Sequence, residues 1–317
     1  MITLLGASGY IGQAFEQQLK SRGWPFTSLS RTQLDYSRFD VFWPYLRENK
    51  PALVINAAGY TGKPNVDACE TARADTLQGN TLLPLTLAQA CLAAGVPFGH
   101  VSSGCIYSGA HVAQHGKWRV ERDLTLPHLN RLPEENPSAI RGFSETDEPN
   151  FTFRCPPCSF YSGTKALAEE AIARLGQNYI WRLRIPFDSW DNPRNYLTKV
   201  QRYPKVYDNI NSLSHRGDFA QACLDLWERR AAFGTYNVTN PGYVTTRQVV
   251  RLIEQVLQPK RSFEFWASDE EFYRLAAKTP RSNCVLEVSK LLGAGVKMRP
   301  VEDALQAALK DWKKGSC

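Results

Sequence analysis

The sequence predicts an α/β protein, a Rossmann-type doubly wound parallel sheet with a smaller C-terminal lobe. Three observations predict it. Strand and helix signals alternate from the first residues onward. A glycine triplet, Gly6, Gly9 and Gly12, sits between the first strand and the first helix. The 317-residue length suits one large α/β unit with an added lobe. At 43% hydrophobic and 22% charged residues, the chain is an ordinary globular one, not a disordered, collagen-like or coiled-coil one.

Taken in order, Ile2–Leu5 is a short apolar strand, and the glycines lead into a helix ending near Arg22. Phe26–Ser30 reads as a strand, Tyr36–Asn49 as a helix and Ala52–Asn56 as the third strand. Asp67–Ala94 reads as one long helix bent at Pro84, whose ring has no N–H to donate. Pro97–Ser102 is a strand, Phe160–Leu175 a helix and Tyr179–Ile185 a strand. Residues 108–158 interrupt this rhythm. From His111 to Pro157 they are rich in Pro, Asn, Arg and Glu with no sustained period, which reads as a long insertion after a strand. Past Ile185 the pattern turns irregular, then resumes as helices near Asp218–Arg230, Thr245–Leu257, Asp269–Ala277 and Val301–Trp312. The expected organisation is a dinucleotide-binding unit over residues 1–185, continued by 212–240. Residues 186–211 and 241–317 form a substrate lobe at the carboxyl edge of the sheet, where open α/β sheets bind ligands.

Lys and Arg outnumber Asp and Glu by 38 to 31, a net charge of +7. The excess is scattered, with clusters at Lys117–Arg122 and Lys310–Lys314, whereas a nucleic-acid binder concentrates its charge on one face. No apolar run reaches the roughly 18 residues that span a bilayer. Eight cysteines are too sparse for a disulfide framework in a chain of this length. The start lacks the basic and apolar regions of a signal peptide. The expectation is a cytoplasmic protein with reduced thiols and no nucleic-acid or membrane partner. Cys155-Pro-Pro-Cys158 is a lone CxxC without a second pair at metal spacing, so no metal site is expected.

The glycine loop carries the first chemistry. Glycine is required where the backbone turns tightly and where a side chain would block a pyrophosphate. The helix that follows offers free N–H groups and its positive dipole end. Gly6, Ser8, Gly9, Tyr10, Ile11 and Gly12 are therefore the expected phosphate-binding loop. The second strand ends at Ser30 and Arg31. An acid there would accept bonds from the ribose hydroxyls of NAD, whereas arginine pairs with a 2′-phosphate. The expected cofactor is NADP, with NAD as the alternative. Further along, Tyr161-Ser-Gly-Thr-Lys165 places a phenol and an ammonium one helix turn apart. A nearby ammonium stabilises phenolate, which suits acid–base work.

Together, Gly6–Gly12, Asn56-Ala57-Ala58-Gly59, Asn80, Ser102-Ser103, Tyr161–Lys165 and Gly234–Asn237 resemble the extended short-chain dehydrogenase/reductases that modify sugar nucleotides. The strings Thr61–Glu70, Gly104–Ile106, Glu148–Thr152, Ser159–Ser162, Asn192–Lys199 and Pro280–Asn283 narrow this to the dTDP-4-dehydrorhamnose reductase group. They are most similar to the plant-type bifunctional nucleotide-sugar 3,5-epimerase/4-reductase of rhamnose synthesis.

That resemblance implies conversion of an NDP-4-keto-6-deoxyhexose, dTDP- or UDP-linked, to an NDP-rhamnose-type sugar. It implies that Ser103 and Tyr161 hold the C4 oxygen and that Tyr161 donates the proton. Lys165 binds the nicotinamide ribose, Asn80 supports the proton relay, and Cys105 and Lys199 are the epimerisation acid/base pair. Asn56, Ala57, Ala58 and Gly59 join the cofactor site. Thr61, Asn65, Arg194, Asn195 and Arg281 are candidates for contacts to the sugar or diphosphate. The expected partners are a nucleotide sugar and a second copy of the chain, as a homodimer.

The chemistry is consistent on its own terms. A C4 ketone acidifies the C–H bonds at C3 and C5, so one electrophilic anchor serves both epimerisation and hydride attack. Ser103 and Cys105, two residues apart at a strand end, are expected to leave on the same side. Two alternatives stay open: a reductase alone with a structural Cys105, or a non-catalytic NADP-binding regulatory subunit. The insertion is far longer than in the plant type, and the dehydratase step is expected to be supplied separately.

Overall fold

The computed structural model describes residues 1–313; Lys314 of the basic cluster and the last of the eight cysteines, Cys317, lie outside the described residues. Its centre is a six-stranded parallel sheet. The strands are β1 (Ile2–Leu5), β2 (Phe26–Leu29), β3 (Leu53–Asn56), β4 (Phe98–Ser103), β5 (Asn178–Leu183) and β6 (Gly234–Asn237), in the order β6-β5-β4-β3-β1-β2. The order reverses between β1 and β3, which opens a ligand crevice at the strands' carboxyl ends.

Both faces of such a sheet are covered, so β1 and β3 are buried along their length and apolar but for Thr3 and Asn56. One face packs on α1 (Tyr10–Ser21) and α5 (Arg216–Glu228) through Phe15, Leu19, Phe219 and Leu224. Phe15 lies between Trp181 and Phe219, with ring centroids 5.9 and 6.0 Å away. Each such side chain contributes about 1.5–3 kcal/mol by leaving water. The other face packs on α2 (Phe39–Asn49), α3 (Leu83–Ala94) and α4 (Phe160–Ile172) through Phe42, Leu46, Leu87 and Ile172.

Three features depart from the sequence-based reading. The helix expected from Tyr36 begins at Phe39. The single helix expected over Asp67–Ala94 is broken into a 3-10 turn at Val66–Glu70, a short helix at Arg73–Leu77, a π turn at Gln78–Leu82 and then α3. Pro84 has no N–H for the carbonyl of Asn80 four residues earlier, so the ladder widens there rather than bending smoothly.

The insertion is also more ordered than its composition suggests. Ala110–Gln114 and Lys117–Glu121 form an antiparallel hairpin, and Ile140–Arg141 adds a third strand. The two-residue turn, His115-Gly116, has positive φ at both positions, 49° and 74°, as a tight hairpin requires. Val112, Leu124, Leu129 and Ile140 pack with Ile210 and Val285, so the insertion rests on the lobe.

The lobe's own core joins Leu197, Val250, Ile253, Leu305 and Leu309. Its helix Thr246–Leu257 starts at a capping box between Thr245 and Gln248. Val288, Leu291 and Val296, within the stretch read as lobe, pack instead beside Phe219 on the sheet. Among the described residues, no helix is long and apolar enough to cross a membrane.

Candidate active site

The glycine loop follows β1 and abuts the loop after β3. Gly6 has φ +76°, and a Cβ there would lie 2.5 Å from the Ala58 nitrogen. A Cβ on Gly12 would strike the Gly6 carbonyl. Gly9 caps α1 without any side-chain bond, so the first-turn N–H groups at Tyr10, Ile11 and Gly12 have no side-chain cap. Ser8 and Gly9 are exposed. The cradle therefore fits a pyrophosphate: the positions a side chain would fill are glycines, and the helix end is uncapped.

At the end of β2, Ser30 bonds Gln33 Oε1 from its amide at 2.9 Å and its hydroxyl at 2.8 Å. Arg31 is exposed and, among the described residues, has no ion-pair partner. Asn56 Oδ1 accepts from the Ala58 amide at 3.0 Å, which fixes the Ala57–Gly59 turn. Burial and then Lys165 keep His100 neutral, so its Nδ1 accepts from the Asn56 amide at 3.1 Å.

The reactive groups meet where β4 ends and α4 begins. Ser159 caps α4 by accepting the Ser162 amide at 3.1 Å, which places Tyr161 in the first turn and Lys165 in the next. Lys165 is 5% exposed and donates to the Val101 carbonyl at 3.2 Å. Burial pushes its ammonium down to about 8, against the opposing pull of Cys105 and Glu169.

Ser103 stands beside the Tyr161 phenol and the Cys105 thiol and favours the ionised form of each, and Tyr161 packs against the cluster that holds Cys105. The Ser103 hydroxyl also accepts the Cys105 amide at 3.3 Å. Burial raises the Cys105 thiol, with hydrogen bonds from Ser103 and Ser162 and the charges of Arg184 and Lys165 pulling the other way. Burial likewise raises the Tyr161 phenol, reinforced by Cys105 and Cys69; the offsetting cation is Arg184 rather than the expected Lys165. Both groups are thus protonated at neutral pH. Ser103 and Cys105 do not alternate along one strand: β4 stops at Ser103, and Gly104–Ile106 is a 3-10 turn that swings Cys105 back to it.

Asn80 lies on the π turn. Its carboxamide holds the backbone of Tyr60 and reaches Thr164 Oγ1 at 3.4 Å, joining the β3 loop to α4. On the lobe side, Arg194 donates to Thr61 Oγ1 at 2.8 Å and to the Gly62 carbonyl at 3.1 Å. Asn65 caps the Asp67 amide at 2.8 Å, and Arg281 pairs with both Asp67 oxygens at 2.6 and 2.8 Å. Thr61, Asn65, Arg194 and Arg281 thus converge on the loop after β3. Asn195 is placed differently. It is fully buried, donates to Asp188 and Trp190, and caps the helix Tyr196–Arg202 through the Leu197 amide. Lys199 is on that helix, and burial and then Arg194 lower its pKa.

The family model described as RmlD substrate binding domain matches residues 1–314. The chain belongs to that family. Among curated proteins, it is 30% identical over 303 residues to the bifunctional dTDP-4-dehydrorhamnose 3,5-epimerase/dTDP-4-dehydrorhamnose reductase of Arabidopsis thaliana, covering 95% of this chain and 90% of that protein. Among solved structures, the L780 UDP-rhamnose synthase of Acanthamoeba polyphaga mimivirus superposes with a TM-score of 0.81 at 22% identity, over 98% of this chain and 99% of that one. The dTDP-4-dehydrorhamnose reductase of Bacillus anthracis, solved in complex with NADP, gives 0.74 at 18% identity over 98% and 97% of the two chains. These two likenesses show that the RmlD-family chain shares their fold.

Several residues that build this site escaped the sequence reading. Ser162 lies inside the Tyr161–Lys165 string, yet its contact with Cys105 is tertiary and has no sequence spacing to reveal it. Glu70 accepts from the Phe160 amide and the Thr279 hydroxyl, both at 2.8 Å, tying the start of α4 to the segment that carries Arg281. Buried Glu169 receives Arg182 at 2.7 Å and the Ser102 hydroxyl at 2.5 Å, which locks the ends of β4 and β5 to α4. An acid in a helix and an arginine in a strand give no signal of pairing until the fold brings them together.

Proposed function

We propose that this chain reduces a nucleotide-linked 4-keto-6-deoxyhexose with NADPH in rhamnose synthesis, and that the same site first epimerises C3 and C5. The observation that carries this reading is the meeting of Ser103, Tyr161 and Cys105: the Ser103 hydroxyl accepts the Cys105 amide at 3.3 Å, and Tyr161, in the first turn of α4, packs against the cluster that holds Cys105. One anchor for a carbonyl oxygen thus has a proton donor for reduction on one side and a second acid beside it. The names of the Arabidopsis and mimivirus relatives support the same substrate class.

When bound, the nicotinamide supplies the hydride. Gly6–Gly12 and the α1 N-terminus hold the pyrophosphate, Asn56–Gly59 line the adjoining face, Lys165 holds the nicotinamide ribose, and Arg31 with Ser30 takes the 2′-phosphate that favours NADP over NAD. Ser103 and Tyr161 donate hydrogen bonds to the C4 oxygen, and Tyr161 gives up its proton as that oxygen becomes a hydroxyl.

For epimerisation the two pKa directions support the following division of roles. Lys199, lowered by burial, acts as the amine base that removes the C3 or C5 proton. Electrons left on the sugar move to the C4 oxygen as an enolate, held by Ser103 and Tyr161. Cys105, raised by burial, returns a proton from the opposite face and is reprotonated from solvent, while the Lys199 ammonium releases the proton it took. Arg194, Thr61, Asn65 and the Arg281–Asp67 pair shape the sugar–diphosphate side. Asn195 acts through the helix it caps.

The test is loss of NADPH absorbance when UDP- or dTDP-4-keto-6-deoxyglucose is added to the purified chain. Oxidation without any added epimerase is expected. Oxidation only after a separate 3,5-epimerase is supplied would leave a reductase alone, and none in either case would overturn the proposal.

A further inference from the structure

The reaction above leaves the insertion unused. A cavity of about 500 Å³ opens between it and the lobe. Arg122 and Asp123 line it from the insertion, and Tyr207, Asp269 and Arg281 from the lobe.

Tyr207 stacks on Phe272 with ring centroids 4.0 Å apart, and both Tyr207 and Asp269 line the cavity. Asp123 and Asp269 both line the cavity, close enough that the Asp123 charge raises Asp269, and Thr125 donates to Asp123 at 2.5 Å. Two carboxylates beside an aromatic stack suit a base, whose imide or amino N–H groups need acceptors. The Arg122 guanidinium donates only to the neutral carbonyls of Pro156 at 3.2 Å and Pro157 at 3.3 Å, and among the described residues it has no carboxylate partner. Arg281, by contrast, is already neutralised by Asp67. The cavity adjoins the reactive centre: Asn283 lines it, and the next residue, Cys284, donates its thiol to the Gly104 carbonyl at 3.2 Å, one residue before Cys105.

We propose that the insertion is part of the substrate site, with Arg122 binding a phosphate of the nucleotide sugar and Asp123 facing its base. This rests on the proposed substrate class but not on the reaction. The nucleotide specificity of this chain is then set partly by residues 108–158.

The test is calorimetric binding of UDP, dTDP and uridine to the full chain and to Arg122→Ala, Arg122→Lys and Asp123→Ala, with NADPH binding and thermal melting as controls. Arg122→Ala should weaken UDP and dTDP about tenfold, the size of one charge-assisted bond, and leave uridine and NADPH unchanged. Arg122→Lys should recover part of the loss. Asp123→Ala should change the ratio of UDP to dTDP affinity. Unchanged UDP affinity in a folded Arg122→Ala protein overturns the inference, as does a wild-type chain that binds neither nucleotide. The two proposals separate cleanly: if nucleotides bind through Arg122 but no keto sugar is turned over, only the proposed reaction falls.

Discussion

The side-chain amide of Asn80 clamps the main chain of Tyr60 at both ends, accepting from its N–H and donating to its carbonyl, each at 2.8 Å. The clamp exists because Pro84 opens a π turn at Gln78–Leu82, which carries Asn80 against the loop after β3. Asn80→Ala leaves both Tyr60 groups without that partner. It should cost about 1–2 kcal/mol in urea unfolding and loosen Gly59, beside the cofactor cradle. A loss below about 0.5 kcal/mol, within the range of an ordinary surface change, contradicts the clamp.

Tyr161→Phe removes the proton donor but keeps the ring. The rate of ketone reduction should fall by roughly a hundredfold or more, with NADPH affinity unchanged within a few-fold. A variant that reduces at the wild-type rate would show that the proton comes from elsewhere.

Arg31→Ala tests cofactor choice. The NADPH dissociation constant should rise about tenfold while that for NADH stays put, because only the former has a 2′-phosphate to lose. Equal weakening of both would place Arg31 outside the phosphate contact.

Lys165 titrates near 8 because burial disfavours its charge. The unfolded chain keeps that proton up to the ordinary lysine range, so between about 8 and 10.4 the unfolded state binds more protons. Stability therefore contains a term that rises with pH across this window and is lost as pH falls through the folded value. Lys165→Met should flatten that rise in thermal melts recorded from neutral to alkaline pH. A steeper rise in the variant would contradict the assignment.

Glu169 and Arg182 form a buried pair, with both side chains under a tenth exposed. Arg182→Met leaves the carboxylate without its cation and should destabilise the chain by about 3–5 kcal/mol. Glu169→Gln combined with Arg182→Met should recover much of that loss. No recovery would mean that the charge pair is not what the single change disrupts.

The sheet was legible in the sequence because its strands are short apolar runs separated by helices of clear period. Gly6, Gly9 and Gly12 announced the phosphate loop for the same local reason. The route from Ser103 to Cys105 was misread as strand alternation, since nothing in Ser103-Gly-Cys marks the end of β4. Asn195, one residue before a helix, matched a family string, and only its burial shows the capping role. The hairpin of the insertion was hidden by its exposed, polar strand Lys117–Glu121 and by a His115-Gly116 turn that is a weak signal on its own. Ser162, Arg184 and Glu70 belong to the site through contacts that no spacing encodes.

The most direct test of the central claim is turnover of UDP- or dTDP-4-keto-6-deoxyglucose with NADPH in D₂O by the wild-type chain, Cys105→Ala and Lys199→Ala. Wild type should yield a rhamnose nucleotide carrying deuterium at C3 and C5. Both variants should fail to exchange yet still reduce a 4-keto sugar already in the rhamnose configuration. Full exchange in both variants, or reduction by wild type with no deuterium at either carbon, would contradict a single site that epimerises and then reduces.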